Sequence, residues 1–171
     1  PTKAEINSCR KKIRSREQEE SRLIKRAKRI SRTREGERIK VYVNAASKED
    51  VRVAVERGCD GIGLFRMEQL YMSSKILPDE KFLLGKLKNI LYPVKNRIIT
   101  LRLLDIGADK RLPYLDIEDE PSPVLGLRGV RLLLKYKNLL KTQIKTAVIL
   151  SGDFNIRVLV PIVTFSGEME E

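Results

Sequence analysis

The sequence predicts an α/β fold in which a long helix precedes four parallel strands that alternate with helices. The chain has 171 residues and is 42% apolar, which is enough for one domain with a core. Apolar segments of strand length alternate with helical segments, and this spacing is typical of right-handed parallel crossovers. The predicted strands are residues 40–46, 61–65, 97–104 and 156–163.

The first predicted element is a long, mostly solvated helix over residues 6–34. This segment lacks Gly and Pro and is rich in Arg, Lys, Glu and Gln, which favour helix. Its apolar residues fall on helical spacings, but none occurs between Arg14 and Arg22. We expect the helix to end near Gly36, so that residues 1–36 form a basic helical linker and residues 37–171 the sheet domain.

Positive charge is concentrated in the same region. Residues 1–40 carry 15 basic and 6 acidic side chains, so they hold +9 of the net charge of +12. Such a cluster suits phosphate contacts in a non-catalytic nucleic-acid-binding module, or an acidic partner protein. However, no aromatic residue lies among these charges for base stacking. We therefore favour a connecting helix, with nucleic acid as the less expected alternative.

The next elements follow from capping and turn signals. After the strand at 40–46, Ser47 and Asp50 predict the capped start of a helix that runs to Gly58. The strand at 61–65 is rich in glycine, which suits a close approach of backbones. A loop then leads into an amphipathic helix at 79–91.

The third strand, residues 97–104, leads into a long loop rich in Gly and Pro. A helix from about residue 127 to 150 follows, and the fourth strand is residues 156–163. Two architectures fit these units, a doubly wound sheet and part of a (β/α)8 barrel. A full barrel takes about 250 residues. We expect a truncated chain, since it ends soon after the fourth strand.

Composition excludes several kinds of chemistry. The chain has no histidine, so its own residues cannot build a Ser/His/Asp triad, an imidazole base or a phosphohistidine. Its two cysteines lie 50 positions apart and predict ordinary thiols, with Cys59 at the edge of the core. No membrane span or signal pattern is apparent in the sequence, which favours a cytoplasmic location.

Candidate site residues lie just beyond the strands, where α/β proteins place their ligands. Arg66 ends the second strand, Arg102 lies near the end of the third, and Arg128 starts the following helix. Three guanidinium groups at one rim would form a pocket for a ligand with carboxylate and phosphate groups. The alternative is that each arginine pairs with a rim carboxylate. The rim carboxylates are Glu68, Asp105 and Asp109.

Three blocks of sequence resemble the phosphoenolpyruvate-utilising enzyme family. They are GIGLFRMEQLYM, LRLLDIGADKRLPYL and PVLGLRGVRLLL, at residues 61–72, 101–115 and 123–134. The resemblance runs from about residue 38 to 161. The DIG-x-DK-x-LPY string favours enzyme I of the bacterial sugar phosphotransferase system, the phosphoenolpyruvate–protein phosphotransferases. A fragment of a pyruvate phosphate dikinase or phosphoenolpyruvate synthase is the alternative.

The resemblance implies the first half of a (β/α)8 TIM barrel. It implies that Arg66, Arg102 and Arg128 bind phosphoenolpyruvate, with Mg²⁺ assisting through ligands in the missing half. A phosphocarrier protein and a second copy of the parent enzyme are the implied partners. The phosphoryl-accepting histidine would lie in another domain, so this chain is not expected to catalyse alone. The implied supporting residues are Asp105, Asp109 and Lys110.

Overall fold

The computed structural model describes residues 1–107, 110, 112–118, 120–122 and 125–170. It confirms an α/β fold with a four-stranded parallel sheet behind a long helix. The strands are β1 Ser31–Arg32, β2 Arg38–Ile39, β3 Tyr42–Ala45, β4 Gly61–Arg66, β5 Ile98–Arg102 and β6 Asn155–Leu159. The helices are α1 Lys3–Ala27, α2 Lys48–Glu56, α3 Glu68–Met72, α4 Glu80–Leu91, α5 Val130–Lys135, α6 Lys137–Ser151 and α7 Gly167–Glu170, and a 3-10 turn spans Tyr92–Val94.

The parallel sheet has the order β3-β4-β5-β6, which is the order of its strands along the chain. The two sides of β5 differ: Ile99 and Leu101 are buried, whereas the alternating residues are half-buried. Helix α4 packs against both α2 and α6. The helices therefore cover one face of the sheet, and the fold is consistent with part of a barrel whose strands curve around the other face.

The predicted capped start of α2 and the predicted amphipathic helix at 79–91 are confirmed. Ser47 and Asp50 form a reciprocal capping box at the start of α2. Asp79 accepts a hydrogen bond from the Phe82 N–H at 2.7 Å and so caps α4. Gly61 lies so close to the Ile98 carbonyl that a Cβ would collide with it, which explains a glycine in β4.

The expected end of the first helix is wrong. Helix α1 ends at Ala27, and the chain then forms a hairpin of β1 and β2. Gly36, with φ of +91°, lies in the turn of this hairpin, where the Thr33 N–H donates to the Glu37 carbonyl at 2.9 Å. A glycine in the left-handed region suits a helix end and a tight turn equally well, so the residue alone does not distinguish the two elements.

The single helix expected near 127–150 is also wrong. It is divided into α5 and α6 at Tyr136, which has φ of −102° and ψ of 63°. Short helices α3 and α7 lie in segments where no helix was predicted. The fourth strand ends at Leu159 rather than at residue 163. Pro161, which has no N–H for a strand ladder, lies just beyond it.

All 25 residues of α1 are solvent-exposed, as expected of a solvated helix. A side-chain ion pair joins it to the sheet domain, from Glu20 to Arg57 at 3.1 Å. Within the described residues, no helix is both long enough and apolar enough to cross a membrane. Cys59 is buried, as the sequence predicts, and Cys9 is exposed.

Candidate functional site

The parallel register of β4 and β5 brings two of the predicted arginines together. Arg66 and Arg102 are the last residues of their strands and are direct partners in the ladder. Partners in a parallel ladder direct their side chains to the same face of the sheet. Two guanidinium groups that are 36 positions apart in sequence therefore share one end of the sheet.

Arg102 lies between two buried carboxylates. Its Nη2 donates to Glu68 Oε1, and its Nη1 lies 3.1 Å from Asp105 Oδ2. Glu68 and Asp105 are both only 6% exposed. Among the described residues, Glu68 Oε2 and Arg102 Nε are buried without a hydrogen-bond partner. The pair thus retains polar atoms that a ligand or a water molecule can satisfy.

Arg128 joins the same cluster through Asp105. Its Nε donates to Asp105 Oδ1 at 2.9 Å, and its side chain is 12% exposed. Asp105 therefore bridges the two arginines, with one oxygen on each. The structure brings Arg102 and Arg128 together across 26 positions of sequence.

Backbone contacts at Gly129 direct Arg128 into the cluster. Gly129 has φ of +57°, and its N–H donates to the Ile106 carbonyl at 3.3 Å. A Cβ at this position would lie 2.9 Å from the Pro161 carbonyl oxygen. The next N–H, that of Val130, donates to the same Pro161 carbonyl at 3.0 Å. Glycine is therefore required where the chain turns from Arg128 into α5.

Arg66 differs from the other two arginines. It is exposed, and no described carboxylate forms an ion pair with it. Hydrogen bonding to the Ala46 N–H is the largest cause that lowers the pKa of Asp50, and the charge of Arg66 adds a smaller effect. The guanidinium of Arg66 thus keeps its donors available to a ligand at the end of β4.

Among the described residues, Arg102 and Arg128 form ion pairs with two carboxylates, Glu68 and Asp105, and Arg66 lies at the same end of the sheet. A guanidinium presents planar paired donors that match both carboxylate and phosphate oxygens. The arrangement is therefore suited chemically to a small multivalent anion. Of the two possibilities that the sequence left open, the rim ion pairs are present at Arg102 and Arg128, and the anion pocket stays a prediction.

Of the three predicted supporting residues, only Asp105 is seen to contact the arginines within the described part of the chain. Asp105 lies at the centre of the cluster. Lys110 is exposed, and its backbone N–H donates to the Gly107 carbonyl at 3.0 Å. Asp109 lies outside the described residues. The supporting roles of these three residues therefore stay predictions.

Sequence reasoning treated Glu68 as a possible salt-bridge partner and did not assign it to the site. The structure places it against Arg102, at the start of the short helix α3. Its position two residues beyond the end of β4 was the available signal. Residues just after parallel strands face the same end of the sheet as the strand ends themselves.

The described residues do not provide a metal site. No group of three or more Cys, Asp or Glu side chains among them could hold a metal ion. The two carboxylates of the cluster are both engaged by arginine. Mg²⁺, which prefers several oxygen ligands, therefore does not fit this part of the protein by itself.

Comparison with protein families gives a match over most of the chain. The model for the phosphoenolpyruvate-binding domain of phosphoenolpyruvate-utilising enzymes matches residues 19–171. The chain belongs to this family. The matched segment of the family domain includes the end of α1, the whole parallel sheet and the arginine cluster.

Curated members of the family are similar over most of this chain. The phosphoenolpyruvate-protein phosphotransferase of Mycoplasma genitalium is 37% identical over 82% of the chain and 24% of its own length. That of Priestia megaterium is 33% identical over 78% and 23%, and that of Borreliella burgdorferi 32% over 99% and 30%. The chain thus spans about a quarter of the length of these relatives.

Proposed function

We propose that this chain supplies the arginine side of the substrate site in a phosphoenolpyruvate–protein phosphotransferase. One observation carries the proposal: Asp105 joins Arg102 to Arg128 at the end of the sheet where Arg66 is exposed. The names of the similar proteins support this activity over that of a dikinase or synthase.

The substrate carries a phosphate and a carboxylate on a three-carbon unit, so it needs cations on more than one side. Arg66, which has no ion pair to break among the described residues, would make the first contact. Arg102 and Arg128 would then exchange part of their bonding with Asp105 for bonds to the ligand. Because each guanidinium is a cation, the three side chains would offset the negative charge of the anion.

In the proposed reaction, the bond from phosphorus to the enol oxygen breaks and a bond from phosphorus to a histidine nitrogen forms. The arginines stabilise the charge that spreads over the phosphoryl and enolate oxygens during transfer. The acceptor histidine must lie outside this chain, which contains none. We therefore propose that the chain alone does not complete the transfer.

The proposal extends to the partners of the whole protein. The phosphoryl group would pass from the histidine to a phosphocarrier protein, and the parent enzyme would act as a homodimer in the cytoplasm. Mg²⁺ would take its ligands from elsewhere in the protein, since the described residues offer no group of three. These statements extend the expectations drawn from the sequence, whereas the names of the similar proteins state the phosphotransferase activity alone.

The test is a titration of the full 171-residue chain with phosphoenolpyruvate, followed by NMR because we expect binding to a partial site to be weak. The variants Arg66→Ala, Arg102→Ala and Arg128→Ala should each weaken binding about tenfold, which corresponds to roughly 1.4 kcal/mol. Arg52→Ala is the matched control, since Arg52 pairs with glutamates on the surface of α2. Unchanged affinity in all three site variants would contradict the proposal.

A further inference from the structure

Arg131 lies three residues after Arg128, and its guanidinium joins two separate segments of the chain. Its side chain is 24% exposed. It contacts backbone carbonyls on one side and the polar groups of a helix and its preceding loop on the other. Its partners are the carbonyls of Gly126 and Leu125, at 2.9 and 3.1 Å, and Thr164 Oγ1 and Glu168 Oε1, both at 3.5 Å.

On the first side, the contacts hold the segment that leads into Arg128. The two carbonyls bound by Arg131 belong to Leu125 and Gly126. The N–H of Leu127 is held separately, by Glu120 Oε2 at 2.8 Å and Oε1 at 3.1 Å. The backbone immediately before Arg128 is therefore fixed by two side chains from opposite directions along the chain.

On the second side, the anchor lies beyond β6. The side chain of Glu168 is 2% exposed. It accepts hydrogen bonds from the Thr164 N–H at 2.6 Å, the Thr164 hydroxyl at 3.1 Å and the Phe165 N–H at 3.3 Å. The bond from the Thr164 N–H is the largest cause that lowers the pKa of Glu168. These hydrogen bonds all go to Oε2, whereas Oε1 is buried without a hydrogen-bond partner among the described residues and faces Arg131 as an ion pair at 3.5 Å.

We propose that Arg131 is a positioning residue for the phosphoenolpyruvate site, acting through Arg128. It ties the segment before Arg128 to the segment after β6 and so fixes the direction from which the Arg128 guanidinium meets the ligand. This inference rests on the proposed function. Arg131 itself need not touch the ligand, because its nitrogens donate to the two carbonyls and to Thr164 Oγ1 and it forms an ion pair with Glu168.

The planar fork of arginine is essential to this role. Nε and Nη2 bind two successive carbonyls while Nη1 faces Glu168 and Thr164. A lysine keeps the charge but presents a single ammonium group, which cannot span both segments in this way. Arg131→Lys therefore removes the tie while it preserves the local charge.

A double-mutant cycle on the full chain tests the role, with phosphoenolpyruvate binding measured by NMR titration. Arg131→Lys should weaken binding about fivefold in the wild-type background and less than about twofold in the Arg128→Ala background. Arg52→Lys is the matched control and should leave affinity unchanged in both backgrounds. A residue that merely stabilises the fold would lower affinity equally in the two backgrounds.

A second variant keeps the test independent of folding defects in Arg131→Lys, and thermal unfolding is recorded for every protein. Glu168→Gln releases the far anchor of Arg131 and should weaken binding about threefold, again only where Arg128 is present. The positioning role is overturned if a variant lowers the affinity for phosphoenolpyruvate equally in the two backgrounds. It is also overturned if Arg131→Lys and Glu168→Gln both leave the affinity unchanged. Unchanged affinity in Arg66→Ala, Arg102→Ala and Arg128→Ala together instead overturns the proposed function, so the two failures are distinguishable.

Discussion

Helices α1 and α4 both begin at side-chain caps but have opposite environments. Both are rich in helix-forming residues, and both begin at a side-chain cap, Thr2 for α1 and Asp79 for α4. All 25 residues of α1 are exposed, whereas α4 buries four of its 12. Propensity and capping account for the existence of both helices, but they do not determine whether a helix joins the core.

The difference lies in the spacing of apolar residues. The buried residues of α4 follow the pattern i, i+4, i+7, i+8, which forms one continuous stripe. In α1 the apolar spacing lapses in the middle, where charged and polar residues replace it. Charge is then the main chemistry that α1 presents to its surroundings. The four buried residues of α4 are Leu83, Leu87, Ile90 and Leu91.

The largest expected effect comes from the centre of the stripe in α4. Leu87 is 0% exposed, and Leu87→Ala should lower the free energy of unfolding by about 3 kcal/mol through lost burial and a residual cavity. Urea denaturation measures the change. Leu84→Ala, at a half-buried position of the same helix, is the control and should cost clearly less. Equal losses would mean that the stripe does not define the buried face.

A smaller loss of unfolding free energy is expected at the cap of α2. Asp50→Asn should cost about 1 kcal/mol at pH 7, because the carboxylate accepts bonds from the N–H groups of Ala46 and Ser47. These bonds lower the folded pKa of Asp50, with Ala46 the largest cause. The stabilisation is therefore complete above the ordinary unfolded pKa of about 3.9 and is lost as pH falls through the folded value.

Urea denaturation at neutral and acidic pH checks this sign. The difference in unfolding free energy between the wild type and Asp50→Asn should shrink on acidification. Lys48→Gln, in the first turn of the same helix, serves as the control. A difference that stays constant at acidic pH would mean that the charge of Asp50 does not stabilise the cap.

The smallest effect is expected in α1. Ile13 is 55% exposed, and Ile13→Ala should change the unfolding free energy by less than about 0.5 kcal/mol. Alanine is also the better helix former, which offsets part of the lost contact. Circular dichroism during thermal unfolding measures the result, with Lys12→Ala as the control. A loss as large as that of Leu87→Ala would show that Ile13 is covered in solution.

Sequence patterns predicted the strands of the parallel sheet, the capped start of α2 and the amphipathic helix α4 because those signals are local. Ser47 and Asp50 act within one turn of chain, and the apolar stripe of α4 lies within one helix. The division at Tyr136 carried no such signal, since neither glycine nor proline occurs there. Gly36 is compatible with either a helix end or a tight turn, and only the pairing of β1 with β2 shows that it lies in a turn.

In the candidate site too, the sequence indicated which residues lie at the strand ends but not which distant residues contact each other. The rule that ligands meet the ends of parallel strands selected Arg66, Arg102 and Arg128. It could not indicate that Arg102 and Arg128 share one carboxylate, because that contact depends on how the loop after β5 folds back. The ion pair between Arg131 and Glu168 spans 37 positions and left no pattern in the sequence.

Asp105 bridges Arg102 and Arg128 and so couples the positions of their guanidinium groups. Each of its oxygens restrains one guanidinium group, so a displacement of either arginine is transmitted through a single rigid carboxyl group. An anion that displaced Arg102 would leave Arg128 on Asp105, so the carboxylate would then balance one arginine of the pair rather than two.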